Sequence, residues 1–498
     1  MLYIRVVKTS SGAKAVQVIY YRNRKRVIYK HIGSAKTDEE LESLKAVAQD
    51  LIDNRMPSLP FFQEPKFDNL LYLDRSDFLG VYYTFLYEVI SELISHIGLD
   101  KIQKQLLLDL VIIRIMEPAS KLRSIELLDE YFGVKHRRQN YYRLSPEWLD
   151  LKSKIETIVT DFAQLNYSFA FDLLFYDVTT LYFETFEEDE LRKKGFSKDN
   201  KSQQPQILIA LMVTKEGFPI AYEVFSGNTF EGHTIIPVVK EFINKHQVKL
   251  FTVVADAAMI SSENVKELLL NGINYIVGAR LGNLSGKLID QINESIIRED
   301  GKSIRIKTDN GYLVCSYSSV RYRKDKYEMQ QQIERAKATI EKPSKSKKLK
   351  FTKSKGEKIE LNESLIEKTK KLLGIKGYYT NLEEKEVNNS TIIAQYHELY
   401  RIEQAFRISK SDLKTRPIFH YKEEPVKLHI LVCFMALVVS KHIELSTSHS
   451  IRRFIIECKK ITDARMFNQI ANKEIRIRAK LTQQVVRFMD DLKLTLPH

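Results

Sequence analysis

The sequence predicts an α/β fold: a mixed sheet with flanking helices, interrupted by an insertion and preceded by a small β unit and a helical region. Three observations predict it. Between residues 166 and 280, apolar strand-like runs alternate with amphipathic helical runs, the pattern of a sheet covered by helices. Between 281 and 376 the alternation breaks around a Lys-rich stretch, and from 377 it resumes. The 498 residues give room for about three domains at about 150 residues each. With 44% hydrophobic and 29% charged residues the balance is globular.

The elements follow in order. Residues 1–60 read as a β unit plus a helix. LYIRVV, AVQVIYY and RVIYKHI are strand-like runs between SSG and RNRK turns. Thr37 and Glu40 make a capping box, and Leu41, Leu44, Val47 and Leu51 follow at helical spacing. MPSLPFFQEPKF carries three prolines and reads as a linker. Residues 76–165 read as helical throughout. One helix there is stopped at Pro118, and another opens with Ser145 and Pro146. Within the region, KHRRQNYYR puts Arg137, Arg138 and Arg143 beside two tyrosines. That mixture suits phosphate contact and base stacking. It also suits a solvated loop, and both readings stand.

Residues 166–280 form the first part of the core. FAFDLLFYDVT is an apolar strand, PQILIALMVT and FPIAYEVFSG form a hairpin around KEG, and VKLFTVVAD is a central buried strand. Residues 281–376 are the insertion, with two short strands, a charged helix and EKPSKSKKLKFTKSKGEK, which holds eight Lys and two Glu. Such a run is a flexible solvated loop, with DNA phosphates as a further contact. Residues 377–445 complete the core with a long helix from about 391 to 413, and 446–498 form a basic C-terminal region.

Charge narrows the partner. Lys plus Arg number 78 against 64 Asp plus Glu, a net charge of +14, which suits a polyanion. Three well-separated cysteines argue against a disulfide framework and for a reducing compartment. No signal peptide is read at the N-terminus. The longest apolar run, Ile430–Val439, has ten residues against the roughly 20 of a membrane span. A soluble cytoplasmic chain without membrane contact is expected. GNLSGK resembles a P-loop but is one residue short and lacks the Ser/Thr, so no ATP is expected. His429 and Cys433 are half of a zinc pattern with no second half nearby, and read better as core.

The acids carry the chemistry. Asp177 and Asp256 each follow an apolar strand. Ligands gather at the carboxyl ends of strands in open α/β sheets. Two such acids form an all-oxygen site for Mg²⁺ or Mn²⁺, although a lone Asp often just ends a strand. Asp172, five residues earlier, falls on the opposite face of the same strand. On the 391–413 helix, Tyr396, Glu403 and Lys410 recur every seven residues, about 10.5 Å apart on one face. Beside them runs the apolar stripe Ile392, Leu399, Ile402, Phe406 and Leu413. Glu403 at its edge can reach the two aspartates. Alone, the Glu, Arg and Lys pattern is also a common surface pattern. Together, three carboxylates in a basic surround describe two-metal phosphoryl transfer.

FYDVTTLYFE, FSGNTFEGHT, VVADAAMISSENVKELLLNGINYIVGAR and YHELYRIEQAFRISKSDLKTRPIFHY resemble the DDE transposases of bacterial insertion sequences, the group with a ribonuclease H-like core. EPASKL at 117–122 is similar too. That group carries Tyr-x2-Arg-x3-Glu-x6-Lys on its last helix. Tyr396, Glu403 and Lys410 fit it, Leu399 stands at the Arg position, and Arg401 and Arg407 are the candidates to replace that Arg. The resemblance implies a catalytic triad of Asp177, Asp256 and Glu403, holding two Mg²⁺ or Mn²⁺ ions. It implies cleavage at the ends of a mobile element and strand transfer of the freed 3′-OH. The implied partners are double-stranded DNA, as terminal inverted repeats and target, and a second copy of the chain in the DNA complex. Nucleoid association in a bacterial cytoplasm is expected. Two other readings are a catalytically inactive DNA-binding relative and a nuclease without strand transfer.

Overall fold

The computed structural model describes residues 2–10, 12–22, 25–53, 75–196, 203–248, 251–259, 261–341, 349–355, 358–469 and 472–495. The expected linker MPSLPFFQEPKF and much of the Lys-rich run lie outside them. The chain divides into two compact units. One comprises 1–86, 130–133 and 457–485, the other 87–129, 134–456 and 486–498.

Strands are numbered along the chain. β1 (Tyr3–Lys8), β2 (Lys14–Arg22), β3 (Lys25–Ala35) and β4 (Ser76–Tyr82) come first. Next are β5 (Leu173–Tyr182), β6 (Gln206–Val213), β7 (Pro219–Ser226), β8 (Thr252–Ala255) and β9 (Asn274–Ala279). Then follow β10 (Ser303–Thr308), β11 (Gly311–Tyr317), β12 (Thr352–Lys355), β13 (Lys358–Leu361) and β14 (Ile375–Thr380). β15 (Asp463–Asn468) and β16 (Lys473–Arg478) close the series.

In the first unit, β1, β2 and β3 form an antiparallel sheet. The capping box is present: the Glu40 amide donates to Thr37 Oγ1 at 3.2 Å, and the Thr37 amide donates to Glu40 Oε2 at 3.4 Å. It opens the Asp38–Asp53 helix, which buries Leu41, Leu44, Ala48 and Leu51 against Val16, Val18, Ile32 and Ala35. Each large apolar side chain so buried contributes about 1.5–3 kcal/mol. Ordering the backbone costs about 1–2 kcal/mol per residue, so the helix depends on the sheet beneath it.

A second small sheet has the order β16-β15-β4, which corrects the all-helical reading of 76–165. Ser76–Tyr82 is a strand, paired antiparallel with β15. Leu79 is skipped in the pairing, and Gly80 takes φ +114 beside it, a bulge conformation that glycine alone adopts cheaply. Arg465 grips Glu474 through Nε and Nη2 at 2.8 and 2.9 Å, and its guanidinium lies 4.2 Å from the centre of the Tyr82 ring.

The second unit holds an eight-stranded mixed sheet, order β10-β11-β14-β9-β8-β5-β6-β7. β5, β8 and β9 are mutually parallel, and the other neighbours are antiparallel. All eight residues of β6 are buried, as a strand covered on both faces requires. The insertion adds β10 and β11 to the sheet's edge through β14. Part of the Lys-rich run is folded as well: β12 and β13 form a hairpin, and Phe351 is fully buried with Met329, Ala336, Ile366 and Leu373.

Helices cover the sheet. The Glu423–Thr447 helix is long and apolar enough to cross a membrane, yet 94% of its apolar window is buried inside the protein. It is a core helix, packed against β7, with Phe434 4.7 Å from Tyr222. The expected long helix from 391 to 413 is not continuous, which corrects that reading. It runs as Asn389–His397, then Tyr400–Arg407, then one π-helical turn at Ile408–Asp412. At the break, the amides of Leu399, Arg401 and Ile402 bond three residues back, tightening the turn in place of the α-helical register. The apolar stripe survives the break: Ile392, Leu399, Ile402, Phe406 and Leu413 are all buried.

Candidate active site

Asp177 does not end its strand, as the sequence reading had it. β5 continues to Tyr182 because the β-branched run after Asp177 pairs with β6. What ends near Asp177 is its parallel neighbour. The ladder between β5 and β8 stops at Tyr176 against Ala255, so Asp177 and Asp256 stand side by side one position further on. Neighbouring strands are about 4.8 Å apart, and in-register parallel residues share a face. Asp172 lies before β5 begins rather than within the strand.

Each aspartate is oriented by backbone. The Val178 amide donates to Asp177 Oδ1 and the Ala257 amide to Asp256 Oδ1, both at 2.7 Å. The Tyr396 hydroxyl also donates to Asp256 Oδ1, at 3.3 Å. Burial, and then the charges of Asp256 and Asp177, hold the Tyr396 phenol above its ordinary range. It therefore keeps its proton and stays a donor. Tyr396 fits only because its neighbour on β9 is Gly278, where an added Cβ would meet the Tyr396 hydroxyl at 2.5 Å. The break after His397 turns the chain, so that the next helix, bearing Glu403, packs on β5 and β6.

Lys376 on β14 was missed by the sequence reading. Its ammonium lies 4.6 Å from the centre of the Tyr396 ring and 5.5 Å from that of Tyr378. Burial holds this amine below its ordinary value, Arg321 adds to that, and the charges of Asp256 and Glu403 oppose it. One cation thus feels both a strand acid and the helix acid, while Tyr396 feels both aspartates. A lysine in an otherwise apolar IKGYYT strand was the available signal.

Among the described residues, no three His, Cys, Asp or Glu side chains converge tightly enough to grip one ion. The candidate donors are nevertheless all oxygen: the carboxylates of Asp177 and Asp256 on adjacent strands and that of Glu403 on the helix that packs on β5 and β6. Such a set fits Mg²⁺, which is held by one or two carboxylates together with substrate phosphates rather than in a closed protein cage.

The other expected residues distribute differently. Leu399, at the position of the expected Arg, is core. Arg401 pairs with Glu398 and stacks 5.5 Å from Tyr400, and Arg407 is exposed. Burial depresses the Lys441 amine, and the charges of both arginines depress it further, so Arg401 and Arg407 share its neighbourhood. Lys410 lies in the π-helical turn, half-buried. Arg137, Arg138 and Arg143 are exposed at and on the Arg138–Leu144 helix, away from the three acids in sequence and on a different element. That segment is anchored by His136 on the buried Asp109 at 2.6 Å and by Tyr141 against Trp148 at 5.9 Å. Arg138 pairs with Glu126. His429 is a core residue whose Nε2 meets the Thr415 carbonyl at 2.8 Å.

The sheet thus brings Asp177 and Asp256 to adjacent parallel strands, and the helix bearing Glu403 packs on β5 and β6 of the same sheet. The sequence model of the transposase DDE domain matches residues 170–439. That is more than half of the chain, and the protein belongs to this family of DDE transposases. Among solved structures it is similar to a piggyBac transposase in a synaptic complex with hairpin DNA, determined by electron cryo-microscopy. The identity is 12% and the TM-score 0.39, with 76% of this chain and 78% of that chain covered. No curated protein matches the chain.

Proposed function

We propose that this transposase cleaves DNA at the ends of a mobile element and joins the freed 3′-OH to target DNA. Asp177, Asp256 and Glu403 are the carboxylates that carry the reaction. The observation that supports this most is the placement of Asp177 and Asp256 at one register position past the last parallel pair, in a chain of the DDE family. The strand order β7-β6-β5-β8-β9, with β6 antiparallel to its neighbours, supports a ribonuclease H-like core extended by the insertion.

The three acids would hold two Mg²⁺ or Mn²⁺ ions, which when bound activate the attacking oxygen and offset charge on the leaving one. The protein supplies the rest. Backbone amides fix each aspartate, and Tyr396 keeps one lobe of Asp256 turned toward the helix. Lys410, Arg401 and Arg407 hold the DNA end near the acids. Arg137, Arg138 and Arg143 contact phosphates on the helical region, which reads the terminal repeats. The partners are duplex DNA and, in the DNA complex, a second copy of the chain.

The test is to incubate the purified protein with duplexes bearing candidate terminal repeats and a supercoiled target, with Mg²⁺ or Mn²⁺. Nicks at the repeat ends followed by joined products are expected. Nicking without joining would reduce the protein to a nuclease, and binding without nicking would overturn catalysis.

A further inference from the structure

EPASKL and RPIFHY, which the acid site leaves unused, meet in one cleft. Lys121 comes from the first stretch, Phe419 and His420 from the second, Arg114 from the preceding helix and His429 from the core helix. The cleft holds about 560 Å³, a volume typical of small-ligand sites. None of the three acids lines it.

Its walls carry buried positive charge without a counter-ion. Arg114 is 3% exposed and Lys121 4%, and among the described residues neither is paired with a carboxylate. Arg114 Nη2 donates to the Ala119 carbonyl at 2.7 Å, while its Nε is buried without an acceptor. Lys121 Nζ lies 3.3 Å from His429 Nδ1. His429 Nε2 donates to the Thr415 carbonyl, so Nδ1 is left as the acceptor. Burial, with Arg114 adding, brings the Lys121 amine down to about 7. Burial and these same cations keep the His429 and His420 rings neutral. Glu424, exposed, is the carboxylate among the lining residues.

Burying unpaired cations is costly, and an anion entering the cleft would relieve that cost. The mouth is aromatic. Tyr142 is 62% and Phe419 63% exposed, two large rings presented to solvent. Basic depth below exposed aromatic rings is complementary to a phosphate attached to a planar base. We propose that this cleft binds a nucleotide unit, its phosphate between Arg114 and Lys121 and its base against Tyr142 and Phe419. The unit is either a free nucleotide or one residue of a DNA strand.

The test uses the full-length protein and calorimetric titration with deoxyadenosine 5′-monophosphate, deoxyadenosine, inorganic phosphate and a short single-stranded oligonucleotide. Saturable binding of the monophosphate is expected, at least tenfold tighter than that of the nucleoside or of phosphate. Lys121→Met and Arg114→Gln should weaken it at least tenfold, and Glu403→Gln should leave it unchanged, which separates this cleft from the acid site. If the buried variants do not fold, the exposed Tyr142→Ala and Phe419→Ala carry the test, with a loss of at least threefold. Displacement of the oligonucleotide by the monophosphate assigns the unit to DNA. Monophosphate binding without displacement assigns it to a free nucleotide. Absence of binding by both probes at millimolar concentration, or binding unchanged in Lys121→Met and Tyr142→Ala, overturns the proposal.

Discussion

Asp177 and Asp256 sit side by side because the parallel ladder joining their strands ends one residue before them, at Tyr176 against Ala255. The ladder's end leaves Asp256 just beyond its strand, while Asp177 stays paired with Leu211 of β6. Lys376 is a cation whose amine feels the charges of both Asp256 and Glu403. If these acids take a divalent cation as proposed, this ammonium would compete with it in the DNA-free protein. Lys376→Met should therefore lower the Mg²⁺ or Mn²⁺ concentration at which metal raises the melting temperature. An unchanged midpoint would mean that this ammonium does not face the acids.

Gly278→Ala tests the seating of Tyr396. The added methyl meets a hydroxyl on a rigid ring at 2.5 Å, so the ring must move off Asp256. Overpacking of this kind costs about 1–3 kcal/mol. The expected result is a lower melting temperature together with impaired cleavage. Wild-type cleavage with a lowered melting temperature would make Tyr396 merely structural.

The exposed Arg137, Arg138 and Arg143 are expected to contact phosphates. Each Ala substitution should reduce the slope of log affinity against log salt by about one. Arg138 should show the smallest effect, since it already pairs with Glu126. Three unchanged slopes would make the segment a solvated surface.

Lys121 gives a pH dependence with a definite sign. Its amine falls from 10.5 in the unfolded chain to about 7 in the fold, so between those values the unfolded state binds more protons and stability rises with pH. The favourable contribution of the neutral amine is complete above 10.5 and is lost as pH falls through about 7. The melting-temperature advantage of Lys121→Met over the parent should be largest at pH 6.5 and shrink toward pH 9.5. An advantage independent of pH would show that the amine is not desolvated.

The sequence made some of this legible and hid the rest for physical reasons. The buried runs of β5, β6 and β8 and the stripe from Ile392 to Leu413 announce themselves by local periodicity. The adjacency of Asp177 and Asp256 depends on register, which nothing local specifies. The pairing of Ser76–Tyr82 with Asp463–Asn468 joins segments nearly the whole chain apart, and neither strand is apolar enough to reveal it. The break at Leu399 lies inside an unbroken helical pattern. Tyr396 before the break lies against Gly278, and Ile402 after it is in the core, tertiary contacts that no local pattern encodes. Lys376 was concealed by its strand, where a charged residue among tyrosines reads as an edge position.

The most direct measurement compares Asp256→Asn with the parent for DNA-end binding and Mg²⁺-dependent cleavage in parallel. The substitution keeps side-chain size and removes one charge. Cleavage should fall at least about 100-fold, because the barrier reduction rests on charges held by these acids. End binding, which depends on Lys, Arg and backbone groups, should persist or rise slightly. Asp256→Asn cleaving element ends as fast as the parent would contradict the assignment of Asp256, and with it the paired-aspartate site.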